Sequence, residues 1–164
     1  LKLENINYNL LSEKSFQTIC KQRLMSSNQQ LARIDYEQYF HVSKLSNIFN
    51  TFIKNITKTD LIIVSDYGKG TIFNATKLIQ SARKLKKKIL IDPKGKDFTK
   101  YKGANLITPN KSEFENIMGK VGSKRDLANK AKKMLEHLTL ESLIVTLGSE
   151  GMYVLKKSNN IKRF

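Results

Sequence analysis

From about residue 42 onward, short β-branched runs alternate with helix-patterned stretches, and few folds accommodate that alternation. Leu61-Ile62-Ile63-Val64, Ile89-Leu90-Ile91 and Leu143-Ile144-Val145 carry no polar interruption, the pattern of strands buried on both faces. Val42, Leu45, Ile48, Phe49, Phe52, Ile53 and Ile56 recur at the three-and-four spacing of an amphipathic helix. The same spacing links Ala75, Leu78, Ile79, Ala82 and Leu85, with Asn74 placed as N-cap, and again Leu127, Ala128, Ala131, Met134, Leu135 and Leu138. A short strand at Leu106-Ile107, a short helix over 110–118 and a hairpin that turns at Gly148–Gly151 into Met152–Leu155 complete the order. Strand–helix–strand units at this spacing require right-handed crossovers. The expected class is therefore α/β, a mostly parallel sheet sandwiched by helices. Residues 1–40 are polar and irregular apart from an edge or flap strand near Gln29–Tyr36. They are expected to form a flap segment beside a central α/β portion over 41–164.

Composition narrows the class further. With 40% hydrophobic and 27% charged residues the chain can bury a core, which excludes a wholly disordered protein. No apolar run approaches the roughly 18 residues of a membrane span, and Lys2, Glu4, Glu13 and Lys14 interrupt any signal-peptide core. The single cysteine, Cys20, cannot close an internal disulfide, so a reducing, cytoplasmic setting is expected. Neither Cys20 nor His41 and His137 stand at metal-ligand spacing. The formal charge of +16 suits nucleic acid or any phosphate-bearing ligand. Yet the lysines are scattered along the chain, and the one tight run, Lys86-Lys87-Lys88, falls where a helix should end.

Parallel sheets bind ligands beyond the carboxyl ends of their strands. There the sequence places Ser65-Asp66-Tyr67-Gly68-Lys69-Gly70, Asp92-Pro93-Lys94-Gly95, Thr108-Pro109-Asn110-Lys111-Ser112-Glu113 and Thr146-Leu147-Gly148-Ser149-Glu150-Gly151. Small residues, lysines and carboxylates on one edge suit phosphates and a hydrated divalent cation. Each loop alone is also ordinary turn chemistry. Asn110 with Glu113 three residues on is a capping-box pattern that any helix could use. The P-loop and G-x-G-x-x-G patterns are absent, and two histidines outside these loops assemble no hydrolase triad.

Taken together, these loops resemble a known family. Thr108-Pro-Asn110-Lys-Ser-Glu113 resembles the N-x-x-E motif of the ribokinase-like (PfkB) carbohydrate kinases, and Thr146-Leu-Gly-Ser-Glu-Gly151 their nucleotide-binding turn. Ser65-Asp-Tyr-Gly-Lys-Gly70 and Asp92-Pro-Lys-Gly95-x-Asp97-Phe98, with Arg23–Asp35 upstream, are similar to the D-glycero-β-D-manno-heptose 7-phosphate kinase branch. The likeness runs from about Lys21 to Leu155. It implies a ribokinase-like three-layer sandwich, incomplete at both ends, that transfers the ATP γ-phosphate to O1 of a heptose 7-phosphate on the way to ADP-heptose and lipopolysaccharide. By position, Asn110, Lys111, Ser112 and Glu113 would contact ATP and Mg²⁺, with Glu113 reaching the metal through water. Thr146, Gly148, Ser149 and Gly151 would line the nucleotide, while Asp66, Lys69, Asp92 and Lys94 would order phosphates. The resemblance further implies small-molecule partners only, with neither nucleic acid nor membrane, a homo-oligomer in the full-length protein and fusion to an adenylyltransferase domain. The family's G-A-G-D segment, which carries the catalytic base, does not occur in these residues. It is expected beyond Phe164, so no catalytic base is assigned and this segment alone is expected to be inactive. Competing readings are another ribokinase-like sugar kinase, a degenerate kinase relic, and a non-catalytic basic module that binds polyanions. Against the last, the aromatic–basic interleaving of nucleic-acid sites is missing.

Overall fold

The structure, a computed structural model, describes residues 6–10, 17–38, 46–72, 74–158 and 161–163. Strands β1 (Cys20–Ser26) and β2 (Gln29–Tyr36) form an antiparallel hairpin. There follow α1 (Ser46–Ile56), β3 (Leu61–Ser65), α2 (Ala75–Lys84), β4 (Lys88–Asp92), a 3-10 turn (Thr99–Tyr101) and β5 (Leu106–Ile107). Then come α3 (Lys111–Met118), α4 (Lys124–His137), β6 (Ser142–Thr146), a second 3-10 turn (Gly148–Glu150), β7 (Met152–Lys156) and β8 (Ile161–Arg163). The expected helix start at Val42 and Leu45, and His41, lie outside the described residues.

The main sheet runs β3-β4-β5-β6-β7-β8, parallel from β3 to β6 and antiparallel from β6 to β8. Register carries Val64, Ile91, Ile107, Leu143 and Leu155 across one face, and all are buried. Ile56 of α1, Ile79 and Ala82 of α2, Phe114 of α3, and Ala131 and Met134 of α4 belong to the same core.

The opposite face behaves differently from expectation. Ile63 is 71% exposed and Leu61 46%, so β3 is buried on one side rather than both. The reason is topological. Strands β3 to β6 are added in one direction, and right-handed crossovers then put every connecting helix on the same face. The second helical layer of the expected sandwich is not among the described residues. The N-terminal reading also needs correction, because the flap strand is not alone: Cys20–Ser26 pairs with it along its length. Both strands of this hairpin are exposed throughout.

Helix α4 ends in a tight reversal. Thr139 sits at φ 51°, with Leu140 N–H on Leu135 O at 3.0 Å and Thr139 N–H on Glu136 O at 3.1 Å. This is the left-handed C-terminal cap that glycine fills most easily, and a β-branched residue is strained there. Thr139→Gly is accordingly expected to raise stability by about 1 kcal/mol in urea unfolding; unchanged or lower stability would show that the cap is unstrained.

Candidate active site

The carboxyl ends of β3 to β6 are stitched together by backbone bonds. Asp66 N–H donates to Asp92 O at 3.0 Å, Thr108 N–H to Ile91 O at 3.0 Å and Thr146 N–H to Pro109 O at 3.0 Å. Asn110 also makes a parallel bridge with Thr146. The loops leaving these strands therefore converge on a cavity of about 380 Å³ lined by Asp66, Tyr67, Asp92, Lys94, Asn110, Glu113 and Thr146, among others. Six residues singled out from sequence, Asp66, Asp92, Lys94, Asn110, Glu113 and Thr146, thus share one wall-to-wall space.

Helix α3 enters this space by its N-terminus. Asn110 Oδ1 accepts the Glu113 N–H at 2.9 Å, and Glu113 Oε2 accepts the Asn110 N–H at 3.0 Å. The other Glu113 oxygen, Oε1, lies 2.6 Å from Lys94 Nζ. The capping box is thus real, and the carboxylate that closes it also faces the cavity. Lys94 is held at its backbone, where its N–H donates to the Tyr101 hydroxyl at 3.0 Å. Its stem packs on Gly68, whose missing Cβ would lie 3.3 Å from Lys94 Cγ.

Beneath the rim lies a buried polar group that the sequence did not single out as a network. Asp66 accepts from Tyr101 Oη at 2.7 Å, from Lys100 Nζ at 2.8 Å and from Gly68 N–H at 2.7 Å. Burial alone would push the Asp66 carboxyl up, but these hydrogen bonds and the Lys100 charge outweigh it and hold its pKa below the ordinary value. Burial likewise raises the Tyr101 phenol well above its usual range, so it stays a neutral donor. Tyr101 was legible only as the aromatic partner, three residues on, of Phe98 in a Lys- and Gly-rich loop. The two rings meet edge to face at 5.6 Å.

Other predicted residues fall elsewhere. Lys69 is not among the residues lining the cavity and pairs with Glu37 just past β2, tying the hairpin to the loop after β3. Lys69, and then Lys21, lower the Glu37 carboxyl to about 2. Ser112 is exposed on α3. Gly148 and Gly151 adopt φ 63° and 86°, so the turn there needs residues without a Cβ. Lys111 pairs with Glu150 at 3.5 Å across the mouth of a separate cavity. Ser149 is exposed in the turn.

The oxygen-rich donor set can be matched to a magnesium nucleotide. Among the described residues no group of three His, Cys, Asp or Glu side chains stands close enough to hold a cation directly. Both Glu113 oxygens already have partners. The fit is therefore to a hydrated ion carried by phosphates, with carboxylates reaching its waters, which is how Mg²⁺ is commonly bound.

A family model described as pfkB family carbohydrate kinase matches residues 6–163. The chain belongs to the pfkB family of carbohydrate kinases. Within the family it is similar to the bifunctional protein HldE of Shewanella amazonensis, 44% identical over 84% of this chain and 29% of that protein. It is similar also to HldE of Haemophilus ducreyi, 40% identical over 97% of this chain and 34% of that protein. The chain spans about a third of the length of these relatives. In fold it resembles the phosphofructokinase-2 from Escherichia coli solved in complex with fructose-6-phosphate, with TM-score 0.67 and 14% identity over 88% of this chain and 49% of that one. For a pfkB chain the cavity at the sheet's carboxyl edge is where the sequence motifs and the geometry coincide. No described helix is long and apolar enough to cross a membrane.

Proposed function

We propose that this chain is the central part of an ATP-dependent kinase that phosphorylates D-glycero-β-D-manno-heptose 7-phosphate at O1. The γ-phosphoryl group passes from ATP to the O1 oxygen, the O1 proton leaves to a base, and the products are ADP and the 1,7-bisphosphate. The observation that carries this reading is the convergence of the Asn110–Glu113 cap, Lys94, Asp66, Asp92 and Thr146 on one cavity. The 37–44% identity to several HldE proteins supports the choice of sugar.

Each residue then has a task. Asn110 and Glu113 present the α3 N-terminus to the nucleotide phosphates, and Glu113 would hold Mg²⁺ through water. Lys94 supplies positive charge toward the transferring group, Asp92 faces the same space, and Asp66 fixes the loop beneath them. Lys111 and Ser112 lie along the nucleotide, and the Thr146–Gly151 turn lets its backbone approach it. Lys69, paired with Glu37, joins the hairpin to this rim, which supports reading residues 1–40 as a flap beside the 41–164 portion. The bound Mg²⁺ would neutralise charge developing on the phosphates. The base would come from a G-A-G-D segment, which these residues do not contain. A cytoplasmic location, a homo-oligomer and fusion to an adenylyltransferase complete the proposal.

The test is ADP release by the full-length protein supplied with MgATP and, separately, heptose 7-phosphate, ribose and fructose 6-phosphate. The expected result is a kcat/KM for the heptose at least about a hundredfold above the others, the discrimination available where buried polar groups match substrate hydroxyls. Turnover of another sugar without turnover of the heptose would reassign the substrate.

A further inference from the structure

On the far side of the Thr146–Gly151 turn lies a second cavity of about 510 Å³, larger than the one at the rim. Its walls are apolar: Val121, Leu127, Ala128, Leu147 and the ring of Tyr153. Its mouth carries Lys124 and Arg125 beside the Lys111–Glu150 ion pair, a net positive rim. Three features of this place are unexplained by folding alone.

Tyr153, on β7, is only 7% exposed, yet its hydroxyl has no hydrogen-bond partner among the described residues. A buried hydroxyl left without a partner is costly and uncommon. Burial also raises the phenol's pKa, so the group remains a donor. Lys124 and Arg125, meanwhile, occupy the first turn of α4. Cations there oppose the helix dipole, and the N-cap is already supplied by Ser123, which accepts the Asp126 N–H at 3.1 Å. Lastly, the volume lies in the range of small-molecule sites, and the lining joins apolar walls to a few polar groups, as such sites do.

We propose that this cavity is a second ligand site, separate from the phosphate rim, that takes a small amphiphilic anion: an aromatic or branched aliphatic body carrying a phosphate or carboxylate. The body lies on Val121, Leu127, Ala128 and Leu147, a polar atom of it meets the Tyr153 hydroxyl, and the anionic end meets the α4 N-terminus with Lys124 and Arg125. Leu147 and Glu150 belong to the turn between this cavity and the rim, so an occupant leans on that turn. The site stands on its own geometry and does not depend on which sugar the rim accepts.

Saturation-transfer difference NMR on the full-length protein, with phenyl phosphate as the probe, tests this. The expected result is a saturable signal from the ring protons that persists in excess MgATP. Tyr153→Phe should weaken the half-saturating concentration about fivefold, as loss of one hydrogen bond does. Ala128→Trp, which fills the cavity, should abolish the signal. Because that variant can unfold, the exposed double reversal Lys124→Glu/Arg125→Glu gives a second reading, and it too should abolish the signal. Absence of a saturable signal, displacement by MgATP, or an unchanged signal in Tyr153→Phe or in the charge reversal would each overturn the proposal.

Discussion

In the full-length protein Glu113→Ala should lower the kcat/KM for MgATP by a factor of about a hundred or more, the loss typical when a preorganised group facing the reacting phosphates is removed. That corresponds to roughly 2.7 kcal/mol of transition-state stabilisation. The same substitution strips the α3 cap of one acceptor, leaving Asn110 N–H unpaired, and that costs about 1 kcal/mol of stability. The Lys94 side chain is 52% exposed, so water takes over from Glu113 and the lost ion pair adds little. The catalytic loss should therefore exceed the stability loss. Glu113→Gln sharpens the comparison. Its amide oxygen can still accept from Asn110, keeping the helix capped, while the charge that faces Lys94 and the cavity is gone. Asn110→Ala does the reverse, removing the side-chain acceptor for Glu113 N–H and leaving the carboxylate. Steady-state kinetics and urea unfolding on the three variants separate the roles. If stability falls and catalytic constants stay normal throughout, Asn110 and Glu113 are a helix cap and nothing more.

The cap was readable because its chemistry is local: an asparagine and a glutamate three residues apart close on each other within one turn. The strand cores were readable for the same reason, since Ile89-Leu90-Ile91 and Leu143-Ile144-Val145 have little alternative to burial. Gly148 and Gly151 announced a turn that does take positive φ at both positions. What escaped were relations across distance. An uninterrupted apolar run does not report which of its faces is covered, so the exposure of Ile63 depends on where the crossovers go. The partner of β2, Cys-Lys-Gln-Arg-Leu-Met-Ser over 20–26, has little alternation and becomes a strand through pairing. Lys69 finds Glu37 across 32 residues and Tyr101 finds Asp66 across 35, with nothing near either residue to signal the match. The Phe98 and Tyr101 spacing in a loop otherwise full of Lys and Gly was the one available hint that this loop tucks into the core.

Tyr101→Ala should be the most destabilising single change at the rim. Tyr101 is fully buried, packs on Phe98, and its hydroxyl both reaches Asp66 and accepts the Lys94 N–H. Loss of a buried aromatic costs about 3–5 kcal/mol, a large share of the roughly 5–15 kcal/mol that holds a domain folded. Tyr101→Phe keeps the ring and isolates the hydroxyl, which should cost about 1–3 kcal/mol because two polar groups lose a partner. The same variant carries a pH signature. In the folded protein Asp66 sits below its ordinary pKa, so its ionised form contributes stability above the unfolded value of about 3.9. That contribution disappears as pH falls through the folded value. Burial is the largest influence on Asp66 and acts upward, so removing one of the hydrogen bonds that oppose it raises the folded value. The fall in stability below about pH 4 should then be shallower in Tyr101→Phe than in the parent, because the folded and unfolded values of Asp66 lie closer together. Asp66→Asn, which has no carboxyl to titrate, should lose this part of the acid limb. Glu37, Asp97, Glu115, Asp126 and Glu141 are also held low and contribute equally to parent and variants, so the difference between curves reports Asp66. Urea midpoints followed from about pH 7 down to about pH 3 provide the measurement. Identical pH dependence in parent and Tyr101→Phe would show that the Tyr101 hydroxyl does not govern the Asp66 charge.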